Sequence, residues 1–272
     1  MALEYFYITN NPDVASACER AGVDRIFIDM EYIGKDKRQG GLDTVKNHHT
    51  VEDVKNVRTA ISKSKLLVRV NPIHDGSEDE INAVINAGAD FIMLPMWKSV
   101  DDVKAFYSIV KRRVKTILLL ETEEARKCLD DVVVLDDVDE IYIGLNDLHL
   151  SQHKKFMFEL YVDGTVDEIA AKLNKSNIRF GIGGVGKVKY DNLLPAENVL
   201  SEHYRLGSSM VILARAFCDW TKLNLDEFEK IMTQGVADNR EFENELMQKD
   251  EQFFADIHKK TAEIIQQIVS KK

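Results

Sequence analysis

Two acids stand at the ends of apolar, strand-like runs. Glu121 closes Leu118-Leu119-Leu120-Glu121, and Asp147 closes Ile141-Tyr142-Ile143-Gly144-Leu145-Asn146-Asp147. Each is expected where a strand gives way to a loop, with a helical stretch between them, so the two carboxylates can converge at one end of a barrel. Two acids plus waters and substrate oxygens suit Mg2+ or Mn2+, hard cations that keep several positions for non-protein ligands. No histidine cluster competes for zinc. The other strand ends add Asp29 and Glu31, then Arg69, Asn71 and His74, and finally Asn146 beside Asp147. Arg69 sets a charge into the apolar strand Lys65-Leu66-Leu67-Val68-Arg69-Val70, and its guanidinium can offer two parallel donors to a substrate carboxylate. A metal polarising the keto oxygen of a 2-keto acid, with arginine balancing the negative charge, would stabilise an enolate. Reversible carbon–carbon cleavage beside a keto group demands that stabilisation. Asn71 and Asn146 are further candidates to bind substrate. The structural alternatives are that Glu121 and Asp147 cap helices, and that Arg69 forms a salt bridge with Asp29.

The elements that must position these side chains are eight apolar runs: Tyr5 to Ile8, Arg25 to Met30, Leu66 to Val70, Phe91 to Met96, Thr116 to Leu120, Glu140 to Gly144, Arg179 to Gly183 and Met210 to Ala214. Most are continuously apolar, as parallel strands buried on both faces are. Helix starts lie between them: Asn11-Pro12-Asp13, the capping-box pattern from Thr50 to Asp53, Ser99 to Asp102, and Pro195. Gly22, Gly88 and Gly207 are placed as C-terminal helix caps. Eight strands alternating with helices predict a (β/α)8 TIM barrel over residues 1–222, with a doubly wound open sheet as the alternative. The lack of GxGxxG after the first strand weakens the open sheet. Residues 223–272 read as a polar helical extension with long stretches around Asp226–Thr233 and Glu241–Val269, expected to pack on the barrel or on a neighbouring subunit of a homo-oligomer. Gly181-Ile182-Gly183-Gly184-Val185-Gly186-Lys187 imitates the start of a P-loop. Val188 stands where Ser or Thr would be needed, so a glycine turn admitting close packing is the better reading.

Composition narrows the class. The 272 residues are 44% hydrophobic and 30% charged, which fits a soluble globular protein. No apolar run nears the roughly 20 residues of a membrane helix, and Met1–Phe6 lacks the features of a signal peptide, so a cytoplasmic location is expected. Cys18, Cys128 and Cys218 are dispersed and are expected to be buried, reduced thiols. The net charge of -10 argues against a nucleic-acid surface.

Several segments together resemble the HpcH/HpaI aldolase and citrate lyase β-subunit superfamily. They are Ile28-Asp29-Met30-Glu31, Leu67 to Pro72, Ala87 to Met96, Glu121-Thr122-Glu123-Glu124-Ala125, and Ile143 to Leu148. The resemblance implies a metal-dependent barrel acting on pyruvate-like or acyl-CoA substrates, with a C-terminal helix often exchanged between subunits. It makes Glu121 and Asp147 metal ligands, Arg69 the contact to substrate and enolate, and Asp29 and Glu31 acids that organise the site. Tyr32 and Asn86 depart from the aldolase branch, which has a histidine and an aspartate there for proton transfer. The general base is then expected among His74, favoured, and His48 or His49. The loop holding Gly34, Lys35, Lys37, Arg38, Gly40 and Gly41 is a candidate to close over an anionic substrate. The function expected is a metal-dependent carbon–carbon lyase of the aldolase type. The alternatives are an acyl-CoA lyase like citrate lyase β, or a non-catalytic barrel that binds keto acids.

Overall fold

A computed structural model of the chain describes residues 2–34 and 49–271. His48 and the loop residues 35–41 therefore lie outside the described part. Eight parallel strands close a barrel in chain order, each hydrogen-bonded to the next and β8 to β1. They are β1 (Glu4–Ile8), β2 (Arg25–Asp29), β3 (Lys65–Arg69), β4 (Phe91–Leu94), β5 (Lys115–Leu120), β6 (Glu140–Ile143), β7 (Arg179–Val185) and β8 (Met210–Leu213). The expected (β/α)8 TIM barrel is the fold observed.

Helices connect the strands. They are α1 (Pro12–Arg20), α2 (Val51–Ala60), α3 (Ser77–Asn86), α4 (Val100–Val110), α5 (Glu123–Lys127), α6 (Leu129–Val132), α7 (Leu145–Ser151), α8 (Thr165–Lys175) and α9 (Ala196–Leu206). Local chemistry fixes their starts: Asn11 caps α1, and Thr50 with Asp53 and Ser99 with Asp102 close reciprocal capping boxes on α2 and α4. Gly22, Gly88 and Gly207 follow α1, α3 and α9 at φ of 90°, 100° and 78°, where a side chain would strain the backbone.

Two boundaries depart from the sequence reading. Strand β4 stops at Leu94 rather than Met96, because Pro95 has no N–H for the ladder and Met96 turns to a left-handed φ of 53°. The C-terminal helices also divide at a different place: α10 runs Leu225–Leu246, well past Thr233, and α11 Glu251–Ser270 starts later than Glu241. Helix α10 passes straight through Gly235, where a Cβ would come within 2.9 Å of both Lys187 and Phe217, so the glycine admits close packing. Both helices lie on the barrel of their own chain. Buried Glu243 on α10 accepts from the Leu3 amide at 2.8 Å and from Tyr5 and Tyr204, and Thr261 on α11 bonds Asn198 on α9 at 2.9 Å.

The apolar interior has two parts. One core fills the space between sheet and helices. The other is the barrel lumen, where Phe6, Phe27, Leu67, Met93, Tyr142 and Met210 meet. Gly181 belongs to this packing, since a Cβ there would sit 2.4 Å from the Tyr142 ring. Residues 181–185 are strand, not a phosphate-binding loop. Cys18 and Cys218 are buried thiols, whereas Cys128 is only half-buried. No helix among the described residues is long and apolar enough to cross a membrane.

Candidate active site

Alternation along β2 sets Arg25, Phe27 and Asp29 on one face of the strand, and Phe27 lies in the lumen. Asp29 is therefore the last lumen-facing residue of β2, and its register partner Arg69 ends β3. The Arg69 guanidinium carbon lies 5.6 Å from the Phe27 ring centroid, above the apolar plug. Glu121 follows β5 in the same phase as lumen residues Ile117 and Leu119. Asp147 sits not in a loop, as expected, but in the first turn of α7, with Asn146 beside it. The strand ends immediately at Gly144, so the helix begins at once.

Arg69 and Asp29 form the salt bridge anticipated as the structural alternative: Nε and Nη2 each lie 2.8 Å from a separate Asp29 oxygen. This occupies one edge of the guanidinium fork. The end-on edge, Nη1 with the second hydrogen of Nη2, can still grip a carboxylate. Glu31 lies 3.4 Å from Arg69 Nε. Burial opposes the arginine's charge, but Asp29 and Glu31 outweigh it and hold the group protonated.

Glu121 is 3% exposed, and the Met96 amide donates to its Oε1 at 3.0 Å. Burial first, then the charges of Glu31 and Asp147, push its carboxyl up to about 8 despite Arg69. Room for this side chain depends on Gly144: a Cβ there would meet Glu121 Cβ at 2.9 Å and Oε2 at 3.2 Å. A buried carboxyl repelled by two further carboxylates is a setting in which a hard divalent cation is favourable. Among the described residues no three acids, histidines or cysteines form a ready-made cage. The fit is to an open site with two protein carboxylates and positions left for water and substrate.

The remaining expected residues are spent differently. Asn71 is buried, its Oδ1 accepts from the Tyr32 and Ile33 amides at 3.0 and 2.9 Å, and its Nδ2 donates to Glu80 at 2.7 Å and more weakly to Met30 O. It clamps the β2 loop rather than presenting a free amide to a ligand. His74 bonds Ser77 Oγ through both its amide (2.9 Å) and Nδ1 (2.8 Å) at the start of α3. His49 receives the Asp29 amide on Nδ1 at 3.0 Å, which places its own ring proton on Nε2 when neutral. Tyr32 is exposed beside Glu31. Asn86 ends α3 at the opposite, N-terminal end of the barrel, so these two departures cannot form a pair within one chain. The sequence reading did not single out Gly144 or the Met96 amide. The Gly after an apolar run and the Pro before Met96 were the only signals.

The chain matches the model of the HpcH/HpaI aldolase/citrate lyase family over residues 3–156, a span that includes every acid of the site. No curated protein sequence gives a significant match. Among solved structures, an HpcH/HpaI aldolase from Desulfitobacterium hafniense DCB-2 superposes with a TM-score of 0.59 at 13% identity, covering 78% of this chain and 86% of that one. An HpcH/HpaI aldolase/citrate lyase family protein from Burkholderia cenocepacia J2315 gives 0.59 at 18%, covering 78% and 88%. A variant of the citrate synthase SbnG gives 0.56 at 17%, covering 78% and 86%. These likenesses establish the shared barrel. With the family's own model spanning the strand ends that carry Asp29, Arg69, Glu121 and Asp147, the chain belongs to the HpcH/HpaI aldolase/citrate lyase family.

Proposed function

We propose that the chain is a divalent-metal-dependent carbon–carbon lyase of the aldolase type, acting on a pyruvate-like 2-keto acid through an enolate. The observation that carries this reading is the buried Glu121 carboxyl, raised by burial and by the charges of Glu31 and Asp147, beside an Arg69 guanidinium held by Asp29. The family generally uses divalent metals. Glu121 and Asp147 would hold Mg2+ or Mn2+, which would supply Lewis acidity at the keto oxygen.

The chain's own groups account for the rest. The free edge of Arg69 binds the substrate carboxylate and stabilises negative charge as it develops on the enolate oxygen. Asp29 fixes the plane of that guanidinium. Cleavage of a 4-hydroxy-2-keto acid breaks the C3–C4 bond. The hydroxyl proton passes to a base, C4 becomes an aldehyde carbonyl, and the bonding pair forms the enolate, which takes a proton at C3 to give pyruvate. His74 is the base assigned here. The role requires the tautomer in which Nδ1–H donates to Ser77 Oγ and Nε2 keeps its lone pair, whereas His49, whose Nδ1 accepts the Asp29 amide, in its neutral form presents Nε2–H.

Pyruvate release from a panel of 4-hydroxy-2-keto acids with Mg2+ tests the reading. Release that falls in both Glu121→Ala and His74→Ala supports it. Uniform inactivity alongside intact pyruvate binding would instead favour a keto-acid-binding barrel, for which Tyr32 and Asn86 speak.

A further inference from the structure

The two ends of the lumen are lined differently. At the N-terminal end Arg25 lies 3.9 Å over the Phe91 ring and joins Glu4 and Glu140. Ile8 and Ile212 pack on the lumen cluster yet stay half-exposed. Ile8 is in phase with Phe6 along β1, and Ile212 with Met210 along β8, so both face inward at the upper end of the lumen. Both therefore lie at the end of the barrel where Asp29, Arg69 and Glu121 stand. Ile8 pairs in register with Phe27, one lumen position below Asp29, so the apolar sector adjoins the charged one. Tyr142 fixes Ile212 from beneath, its hydroxyl accepting the Ile212 amide at 2.7 Å and donating to Gly183 O at 2.6 Å.

The mouth is therefore divided. Among the described residues, β2, β3, β5 and the start of α7 supply ionised groups, while the lumen-facing ends of β1 and β8 supply the hydrocarbon of Ile8 and Ile212, with Arg215 exposed beyond β8. In an eight-stranded barrel β5 stands across the lumen from β1. A substrate held by its keto-acid end at Arg69 and Glu121 extends its other end over Ile8 and Ile212. We propose that this remote half is an uncharged hydrocarbon group, an aliphatic or aromatic aldehyde once cleaved, and that Ile8 and Ile212 determine that specificity. A carboxylate or a chain of hydroxyls seated on these two side chains would lose water without gaining a partner from either. The inference rests on the keto-acid reading above.

Binding of 2-keto acids, followed by calorimetry on the whole chain with Mg2+ present, tests it without requiring turnover. 2-Ketohexanoate and 2-ketoadipate have the same length and differ only in whether the far end is a methyl or a carboxylate. The wild type is expected to bind 2-ketohexanoate at least about tenfold more tightly than either 2-ketoadipate or pyruvate, since each methylene in an apolar pocket is worth about tenfold or more. Ile8→Ala and Ile212→Ala should each narrow that ratio. Equal or tighter binding of 2-ketoadipate by the wild type overturns the proposal and leaves the keto-acid reading standing if pyruvate still binds. Failure of every 2-keto acid to bind overturns both. A preference for 2-ketohexanoate without pyruvate release from any hydroxy keto acid upholds the apolar sector and removes the lyase chemistry.

Discussion

The two ends of the barrel each gather arginine and carboxylates, and they balance them differently. At the N-terminal end Arg25 and Arg179 face Glu4 and Glu140 through a lattice of bonds: Arg25 to Glu140 at 2.5 and 2.9 Å, Arg179 to Glu140 at 2.9 Å and to Glu4 at 2.6 Å. Two cations meet two anions. Burial raises the Glu4 carboxyl, but Arg179 and Arg25 overcome it and hold the group below its usual range. At the C-terminal end Arg69 pairs with Asp29 and lies 3.4 Å from Glu31, and Glu121, with Glu31 and Asp147 near it, is driven up to about 8. Similar residues thus make a structural ion-pair lattice at one end and, at the other, a buried carboxyl whose acidic neighbours push it up, a strain that a bound cation would relieve.

Breaking the lattice should cost the most in stability. Arg25→Ala leaves Glu140 buried without its main partner and should destabilise the fold by about 3–5 kcal/mol. Thermal unfolding would show this, while cation affinity in the surviving folded protein stays as in the wild type. Breaking the other end should cost function instead. Arg69→Ala should lower kcat for pyruvate release by about 10²–10³, with Arg69→Lys recovering part because charge returns without the fork. Steady-state kinetics on one hydroxy keto acid decides the order of the three proteins. Gly144→Ala sharpens the comparison further. Its new methyl meets Glu121 and Leu119, so a cost of about 1–3 kcal/mol should come with weakened cation binding, seen by unfolding and calorimetry.

The smallest and most diagnostic effect is on pH dependence without added metal. Glu121 holds its proton more tightly in the folded chain than an ordinary glutamate does at 4.5, so its contribution to stability falls as pH rises from about 4.5 to 8. Glu4 behaves oppositely, because its lowered folded value gives stability that is present above 4.5 and lost as pH falls. Unfolding midpoints measured across both ranges should show Glu121→Gln flattening only the alkaline slope and Glu4→Gln only the acid one.

The strands were legible because parallel strands buried on both faces read as continuous apolar runs, and the helix starts because Asn11, Thr50 and Ser99 announce themselves as caps. The acids at the strand ends were legible for the same reason. What sequence did not carry is which groups are already engaged. Asn71 looks like a ligand-binding amide until the chain brings Tyr32, Ile33 and Glu80 to it. Arg25 begins a strand like any other, and only barrel closure sets it against Glu140, 115 positions away. Helix α10 likewise runs on past Thr233 through Gly235, where packing against Lys187 and Phe217 outweighs glycine's low helix propensity.

The central claim is that the C-terminal end is a cation site built on Glu121 and Asp147. Calorimetric titration of Mn2+ into the wild type and into Glu121→Gln, at pH 7 in two buffers of different ionisation heat, tests it most directly. The account predicts one site per wild-type chain, uptake of Mn2+ coupled to proton release because Glu121 must ionise, and affinity at least about 100-fold weaker in the variant. No binding by the wild type, or binding that Glu121→Gln leaves unchanged, would contradict it.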